Sequence, residues 1–222
     1  MSVLLSAAHQ GTPLHVINKA SLDNWSHQQS PLVQNWLAQN EFTEGVLCVP
    51  NAKGELDIVV VAVDDPGSYF ACGDVTKKLP EGQYALISDD EYKRAVAFGW
   101  AVGSYRFDRY RKNDGKQVTL AVGDKELVDT TLHTVAGTNL VRDLVNTPAA
   151  DMMPQHLAEC AKGLAERFGG RFSEIVGEQL LTENYPTIHA VGRASVHAPR
   201  LLDLTWGKAD APRVTLVGKG VC

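Results

Sequence analysis

The 222-residue sequence lacks the marks of several specialised protein classes. Its four cysteines form no CxxC pair and no disulfide-rich framework, which excludes a small disulfide scaffold and a structural zinc site of that type. No apolar run approaches the roughly 18 residues of a membrane span, and the first residues lack the basic region of a signal peptide. The net charge of −5 disfavours a nucleic-acid platform. We therefore expect a cytoplasmic protein that binds neither a membrane nor nucleic acid.

One basic stretch runs against the overall negative charge. It comprises Arg106, Arg109, Arg111, Lys112 and Lys116, around a predicted turn. Segments that bind single-stranded nucleic acid combine such cations with aromatic side chains on which bases stack, and no such pattern occurs here. We therefore interpret this stretch as a solvated loop.

The common catalytic signatures are also missing. The seven histidines show neither HExxH spacing nor an i, i+4 pair, and no GxSxG sequence occurs. A phosphate-binding loop at Lys219 would need glycine at position 213 and Ser or Thr at position 220, where the chain has Arg213 and Gly220. The pairs Asp64–Asp65 and Asp89–Asp90 are expected in turns or helix caps. No catalytic residue is therefore assigned within this chain.

Strands and helices alternate along the first part of the chain, to about residue 125. A capping box of Ser88 and Glu91 predicts the start of its clearest helix. Gly99 and Gly103 lie inside that helix, so we expect close packing against a neighbouring element to justify them. Apolar and β-branched runs predict strands at Leu14–Ile17, Val46–Val49, Ile58–Val63, Tyr84–Ile87 and Val118–Val122, and further helices are predicted at Leu32–Asn40 and Tyr69–Leu79.

The second part opens with a predicted helix from Thr130 to Val145. Another helix begins at Pro154, a favourable first-turn residue, and ends at Gly169–Gly170. A short helix at Glu178–Asn184 and strands at Leu201–Trp206 and Val214–Val217 follow. The fold class is therefore α/β. We divide it into an N-terminal domain over residues 1–125, for packing, assembly or regulation, and a second domain over residues 126–222.

The last segment of the sequence suggests a strand that needs neighbours. Val214–Val217 contains four β-formers between Pro212 and Gly218, the pattern of a core strand in a parallel sheet. Open α/β sheets place their chemistry just past the carboxyl ends of such strands. We therefore expect the 222 residues to be part of a longer protein.

Four stretches of the chain carry motifs of a known family, in order Ala97–Phe107, Val145–Pro154, His189–Leu201 and Val217–Cys222. They match a helix end with the pattern G-x-x-x-G-x-Y-x-F, an entry N-x-P-x-x-x-x-x-P to a catalytic domain, a stretch A-V-G-x-(G/A)-S … P-R-L, and the start of a metal motif V-G-K-G-x-x-F-D-x-G-G. In these motifs the chain resembles the leucyl aminopeptidases, the M17 family. The resemblance covers residues 90–222 well and the first 90 residues loosely.

The resemblance implies a metallopeptidase that removes leucine-like and other amino acids from peptide N-termini. Lys219 matches the family's lysine that ligates one of two divalent ions, manganese or zinc, a role that requires a neutral amine. In such sites the metals activate a bridging water and polarise the scissile carbonyl. The family also implies a catalytic α/β/α sandwich, of which residues 126–222 are the first part, and a cytoplasmic homohexamer.

The departures from the family pattern concern the metal site. The family's ligating aspartates and its second lysine follow the Gly-Lys-Gly loop, and the first aspartate would fall two residues beyond Cys222. Because Lys219 cannot hold two metals alone, we expect this chain by itself to be inactive. The alternative is a natural, non-catalytic short form that acts as an assembly or binding module; a central strand at Val214–Val217 would favour the enzyme.

A further departure from the family pattern lies at the start of the helix that begins at Pro154. Met153 replaces the family's threonine cap there, at a cost of about 1 kcal/mol of local stability.

Overall fold

A computed structural model describes residues 4–111 and 115–220. The chain divides into two compact units, Met1–Val141 and Arg142–Cys222. The functional division at residue 125 stays a prediction. Lys112 of the basic stretch and Val221–Cys222 of the last motif lie outside the described residues. Every helix within those ranges is too short or too polar to cross a membrane.

The first unit is built on one six-stranded sheet with helices between and after its strands. The strands are β1 (Leu5–Ser6), β2 (Thr12–Asn18), β3 (Gly45–Pro50), β4 (Leu56–Val63), β5 (Gly82–Ile87) and β6 (Val118–Ala121). The helices are α1 (Leu22–His27), α2 (Pro31–Gln39), α3 (Val75–Lys78), α4 (Asp90–Gly103) and α5 (Lys125–Asn146), and a 3-10 turn covers Lys19–Ser21. The last residues of α5, from Arg142 on, are counted with the second unit.

The sheet is mostly parallel. Its strand order is β1-β6-β5-β2-β4-β3, and every neighbouring pair is parallel except β3 with β4. The central strand β2 pairs on both sides, so that His15 lies opposite Val60 of β4 and Ile87 of β5. Because the parallel strands run in one direction, their carboxyl ends meet at a single edge of the sheet.

Both faces of the sheet are covered by helices. Val59 and Val61 of β4 belong to one hydrophobic core, together with Trp100 of α4 and residues of α5, whereas Val60 belongs to a second core that includes Leu37 of α2. Successive residues of a strand point to opposite faces, so a run of buried valines requires helices on both. The mixed α/β class with a mostly parallel sheet is therefore confirmed.

The second unit carries a smaller sheet. Strands β7 (Arg171–Val176) and β8 (Arg200–Thr205) pair antiparallel, with Phe172 opposite Leu204. Helix α6 (Pro154–Phe168) precedes them and ends at Gly169, whose φ of 68° is the left-handed conformation expected at a helix C-terminus. The remaining elements are a 3-10 turn at Ala149–Asp151 and helices α7 (Gln179–Thr182) and α8 (Pro186–Gly192).

Three local predictions are wrong. The segment Val214–Val217 forms no strand: Val214, Leu216 and Val217 are 85%, 90% and 92% exposed, because no strand among the described residues pairs with this segment. The predicted helix at Tyr69–Leu79 shrinks to α3, since successive i, i+3 turns occupy residues 65–73. Helix α4 starts after Asp89 rather than Ser88, because the preceding Ile87 still pairs with β2.

The prediction for the two glycines of α4 is confirmed. A Cβ atom built on Gly99 would lie 2.8 Å from the carbonyl oxygen of Tyr69. On Gly103 it would fall inside the van der Waals radius of the Gly73 carbonyl group. Real Cβ atoms do not approach backbone this closely, so any side chain here would push α4 away from residues 69–73. The backbone of one segment therefore packs directly on the backbone of the other.

Replacing Gly103 by alanine should destabilise the first unit, with an overpacking cost of about 1–3 kcal/mol or more. Gly137→Ala is the matched control: Gly137 lies within α5 with open space around its Cα, so alanine there should stabilise by about 0.5–1 kcal/mol through helix propensity. Urea unfolding followed by far-UV circular dichroism measures both free energies. Equal effects of the two substitutions would contradict the close contact.

His15 is a half-buried histidine on the central strand, and its ring centroid lies 5.1 Å from that of Trp25. Burial lowers the pKa of His15 below its ordinary value of 6.5. The folded state therefore favours the neutral ring. The free energy of unfolding that depends on His15 being neutral is present in full above about pH 6.5, and it is lost as the pH falls through the lowered pKa. His15→Gln should flatten the decline in the urea midpoint below pH 6.5, whereas His27→Gln, at an exposed site, should leave the decline intact.

Candidate metal centre

Lys219 lies in a segment, residues 212–220, that belongs to no helix or strand. Its side chain is exposed, as are those of its neighbours in this segment. One of the flanking glycines packs near α6: a Cβ built on Gly220 would lie 3.0 Å from Cδ2 of Leu157. The Gly-Lys-Gly loop thus passes over α6, with the lysine amine in solvent.

A two-ion centre needs several donors around Lys219. Zinc takes four ligands and harder divalent ions take about six, mainly from His, Cys, Asp and Glu. Within residues 4–111 and 115–220, no three such side chains are grouped so that they could hold an ion. The described residues therefore do not fit a complete metal centre. Lys219 remains the one ligand that the family resemblance assigns to this chain.

The motif at residues 145–154 forms the junction between α5 and α6. The hydroxyl of Thr147, which is buried, donates a hydrogen bond of 2.6 Å to the carbonyl oxygen of Asp143 and so closes the end of α5. At the start of α6, the Met153 N–H donates to Nδ1 of His156 at 2.9 Å. His156 therefore supplies part of the cap that Met153 cannot, a role the sequence analysis did not assign to it.

The motif at residues 189–201 also has a structural explanation. A Cβ on Gly192, at the end of α8, would lie 2.8 Å from Cγ of Pro199, so only glycine fits there. The guanidinium of Arg200 donates a 2.6 Å hydrogen bond to the carboxylate of Glu174 on the neighbouring strand. Nε2 of His189 lies 3.0 Å from Oε1 of Glu178, which joins α8 to the start of α7. These motif residues hold the second unit together.

No catalytic or binding residue is predicted from the sequence in the first unit, yet the structure has a cavity of about 270 Å³ there. Arg94 and Phe98 of α4 are four residues apart, as are Thr130 and Thr134 of α5, so each pair shares a helix face. That spacing was the signal available in the sequence, but it does not show that the two faces and Tyr69 meet. The lining residues are Tyr69, Arg94, Phe98, Thr130, Thr131 and Thr134.

Two known protein-family profiles together match most of the chain. A profile of the M17 aminopeptidase N-terminal domain matches residues 12–123, and one of the cytosol aminopeptidase catalytic domain matches residues 139–222. The chain belongs to the M17 aminopeptidase family. The two profiles follow one another in the order in which the sequence motifs predicted them, and the metal motif that contains Lys219 falls within the catalytic profile.

Individual M17 proteins agree with this assignment. The chain is 33% identical over 200 residues to a probable cytosol aminopeptidase of Corynebacterium efficiens, a match that spans 82% of this chain and 39% of the relative. The crystal structure of a cytosol aminopeptidase from Coxiella burnetii superposes with a TM-score of 0.86 at 31% identity, over 95% of this chain and 47% of that one. The chain therefore spans less than half the length of these M17 relatives.

A more distant neighbour shares the fold. The bottromycin maturation enzyme BotP, solved in complex with Mn, superposes with a TM-score of 0.72 at 24% identity, over 90% of this chain and 46% of that one. At this identity the match supports the architecture of the chain and leaves open the chemistry of its site.

Proposed function

We propose that this protein is a metal-dependent aminopeptidase that releases leucine-like N-terminal amino acids from peptides, with residues 1–222 providing the N-terminal domain and the first part of the catalytic domain. The observation that carries the proposal is the ordered match of both M17 domains, the second of which includes the Gly-Lys-Gly loop. The names of the relatives support a peptidase of the cytosol.

Two divalent ions, manganese or zinc, belong to this proposal, and so does assembly into a homohexamer. The manganese complex of BotP supports divalent-metal use in this fold. Lys219 is proposed as a ligand of one ion, and a lysine at this position has to donate its neutral amine. Further donors would have to join it, because the described residues form no group that could hold an ion.

The chain of 222 residues alone should hydrolyse no leucine p-nitroanilide, with either manganese or zinc added. Isothermal titration with each metal should likewise reveal no pair of tight sites, since Lys219 brings a single donor. Turnover above the metal-only background, or tight binding of two ions per chain, would show that the assignment of the catalytic ligands is wrong.

Lys219 itself is tested in the protein as its source cells produce it. Mutation of groups that only support a metal ligand lowers metal affinity or activity by about 10–100-fold. Loss of a ligand itself is more severe, so Lys219→Met should lower kcat/KM by about 100-fold or more and reduce bound metal. Lys219→Arg should fail to restore activity, because a guanidinium does not deprotonate. The matched control is Lys208→Met, at another exposed lysine in the same part of the chain. Equal activity of the Lys219 and Lys208 variants would exclude the ligand role.

The same preparation distinguishes the alternative function. A source protein with the 24.1 kDa mass of this chain and no peptidase activity would be the non-catalytic assembly or binding module. A larger, metal-dependent peptidase that contains this chain would be the enzyme proposed here.

A further inference from the structure

The cavity of the first unit lies between α4, α5 and the turns at residues 65–73. It adjoins a second cavity of about 780 Å³ at the carboxyl ends of β5 and β6, which Leu86 and Val122 line. Arg94 and Thr130 line both cavities. Ligands of open α/β sheets bind at the carboxyl ends of the strands, so this edge is where a binding site is expected on topology alone.

Arg94 is the cation that this site can offer to a ligand. The neighbouring lysines are engaged: Nζ of Lys93 lies 2.6 Å from the Asp90 carboxylate, and Nζ of Lys125 lies 2.5 Å from that of Asp129. The exposed guanidinium of Arg94 has neither an ion pair nor a hydrogen bond with any residue in 4–111 or 115–220. A planar guanidinium of this kind binds a carboxylate through two parallel hydrogen bonds.

Two of the three threonine hydroxyls of the cavity, those of Thr130 and Thr134, can only accept hydrogen bonds from a ligand. Thr130 Oγ1 already donates its proton to the carbonyl oxygen of Glu126 at 2.8 Å, and Thr134 Oγ1 donates to that of Thr130 at 3.0 Å. Each of these hydroxyls has one proton, so its remaining lone pairs need a hydrogen-bond donor on the ligand, which an ammonium supplies. The carboxylate of Glu126 lines the adjoining cavity and has no ion pair among the described residues. These groups suit a ligand ammonium.

The opposite wall is aromatic. The rings of Tyr69 and Phe98 meet edge to face, with centroids 5.3 Å apart, and the Tyr69 residue is 49% exposed. An apolar or aromatic side chain can pack against such a pair. A volume of about 270 Å³ lies just below the usual range for ligand pockets, about 300–1,000 Å³, which favours a ligand no larger than an amino acid.

We propose that the first unit binds a free amino acid with an aromatic or large aliphatic side chain. Its carboxylate pairs with Arg94, its ammonium faces Thr130, Thr134 and Glu126, and its side chain packs on Tyr69 and Phe98. The argument uses residues of the first unit alone and does not depend on peptidase activity. In an aminopeptidase, however, such a site would bind the class of molecule that the reaction releases.

L-phenylalanine is the probe, titrated into the purified chain by isothermal calorimetry. We expect one site per chain, and binding at least tenfold weaker for N-acetyl-L-phenylalanine, which lacks the ammonium, and for L-phenylalaninamide, which lacks the carboxylate. Absence of L-phenylalanine binding at millimolar concentration to a chain with a folded circular dichroism spectrum would overturn the proposal. Equal affinity for all three compounds would overturn it as well.

Variants locate the site. Arg94→Gln should raise the Kd for L-phenylalanine at least tenfold, and Tyr69→Ala should raise it while affecting L-alanine less. The matched control is Lys53→Gln, which removes the same charge at an exposed turn and should leave the Kd unchanged. Unchanged affinity in Arg94→Gln, or an equal loss in Lys53→Gln, would place the ligand elsewhere. Because the readout is binding, failure here leaves the proposed peptidase untouched, and loss of the peptidase assignment leaves this site untouched.

Discussion

The close backbone contact between α4 and residues 69–73 is the constraint on which much of the first unit depends. Because Gly99 and Gly103 lack side chains, the helix approaches the carbonyl groups of Tyr69 and Gly73 directly. This approach holds Trp100 fully inside the core on one face of the sheet. It also sets Tyr69 beside Phe98, one residue before Gly99. One packing contact thus shapes both the core and the aromatic wall of the cavity.

Elements whose own residues carry a strong packing signal were predictable from the sequence. The valines of β4 and the glycine pair of α4 gave clear signals, since a run of buried β-branched residues and a costly helical glycine each have few explanations. Elements that depend on distant partners were not. β7 carries the exposed Ser173 and Glu174 at its centre and owes its place to antiparallel pairing with β8. The four β-formers at Val214–Val217 show the converse, because β propensity without a pairing strand among the described residues does not produce a strand.

The motifs identified the family, but the structure gives most of them a mechanical role. Gly192 admits Pro199, Arg200 pairs with Glu174, and Thr147 closes α5. A motif can therefore be diagnostic of a family because the fold requires it, even where no reacting group is involved. Lys219 differs from these residues, since it is exposed and flanked by glycines and has no evident packing role. That contrast could not be seen from residue identity alone.

The distribution of acidic side chains explains why the described residues form no metal centre while one cavity still offers selective chemistry. Asp74, Asp90 and Asp129 each pair with a lysine three or four residues away on an exposed helical surface. Such solvent-exposed pairs contribute little to stability and keep carboxylates dispersed, whereas a metal centre gathers them. Arg94 escapes this local pairing, because Lys93, the residue before it, takes Asp90. A guanidinium without an ion pair, beside the acceptor hydroxyls of Thr130 and Thr134, the Glu126 carboxylate and an aromatic wall, discriminates among ligands by the charged groups at both of their ends. This is the physical basis on which a zwitterion, rather than a simple anion, fits the first unit.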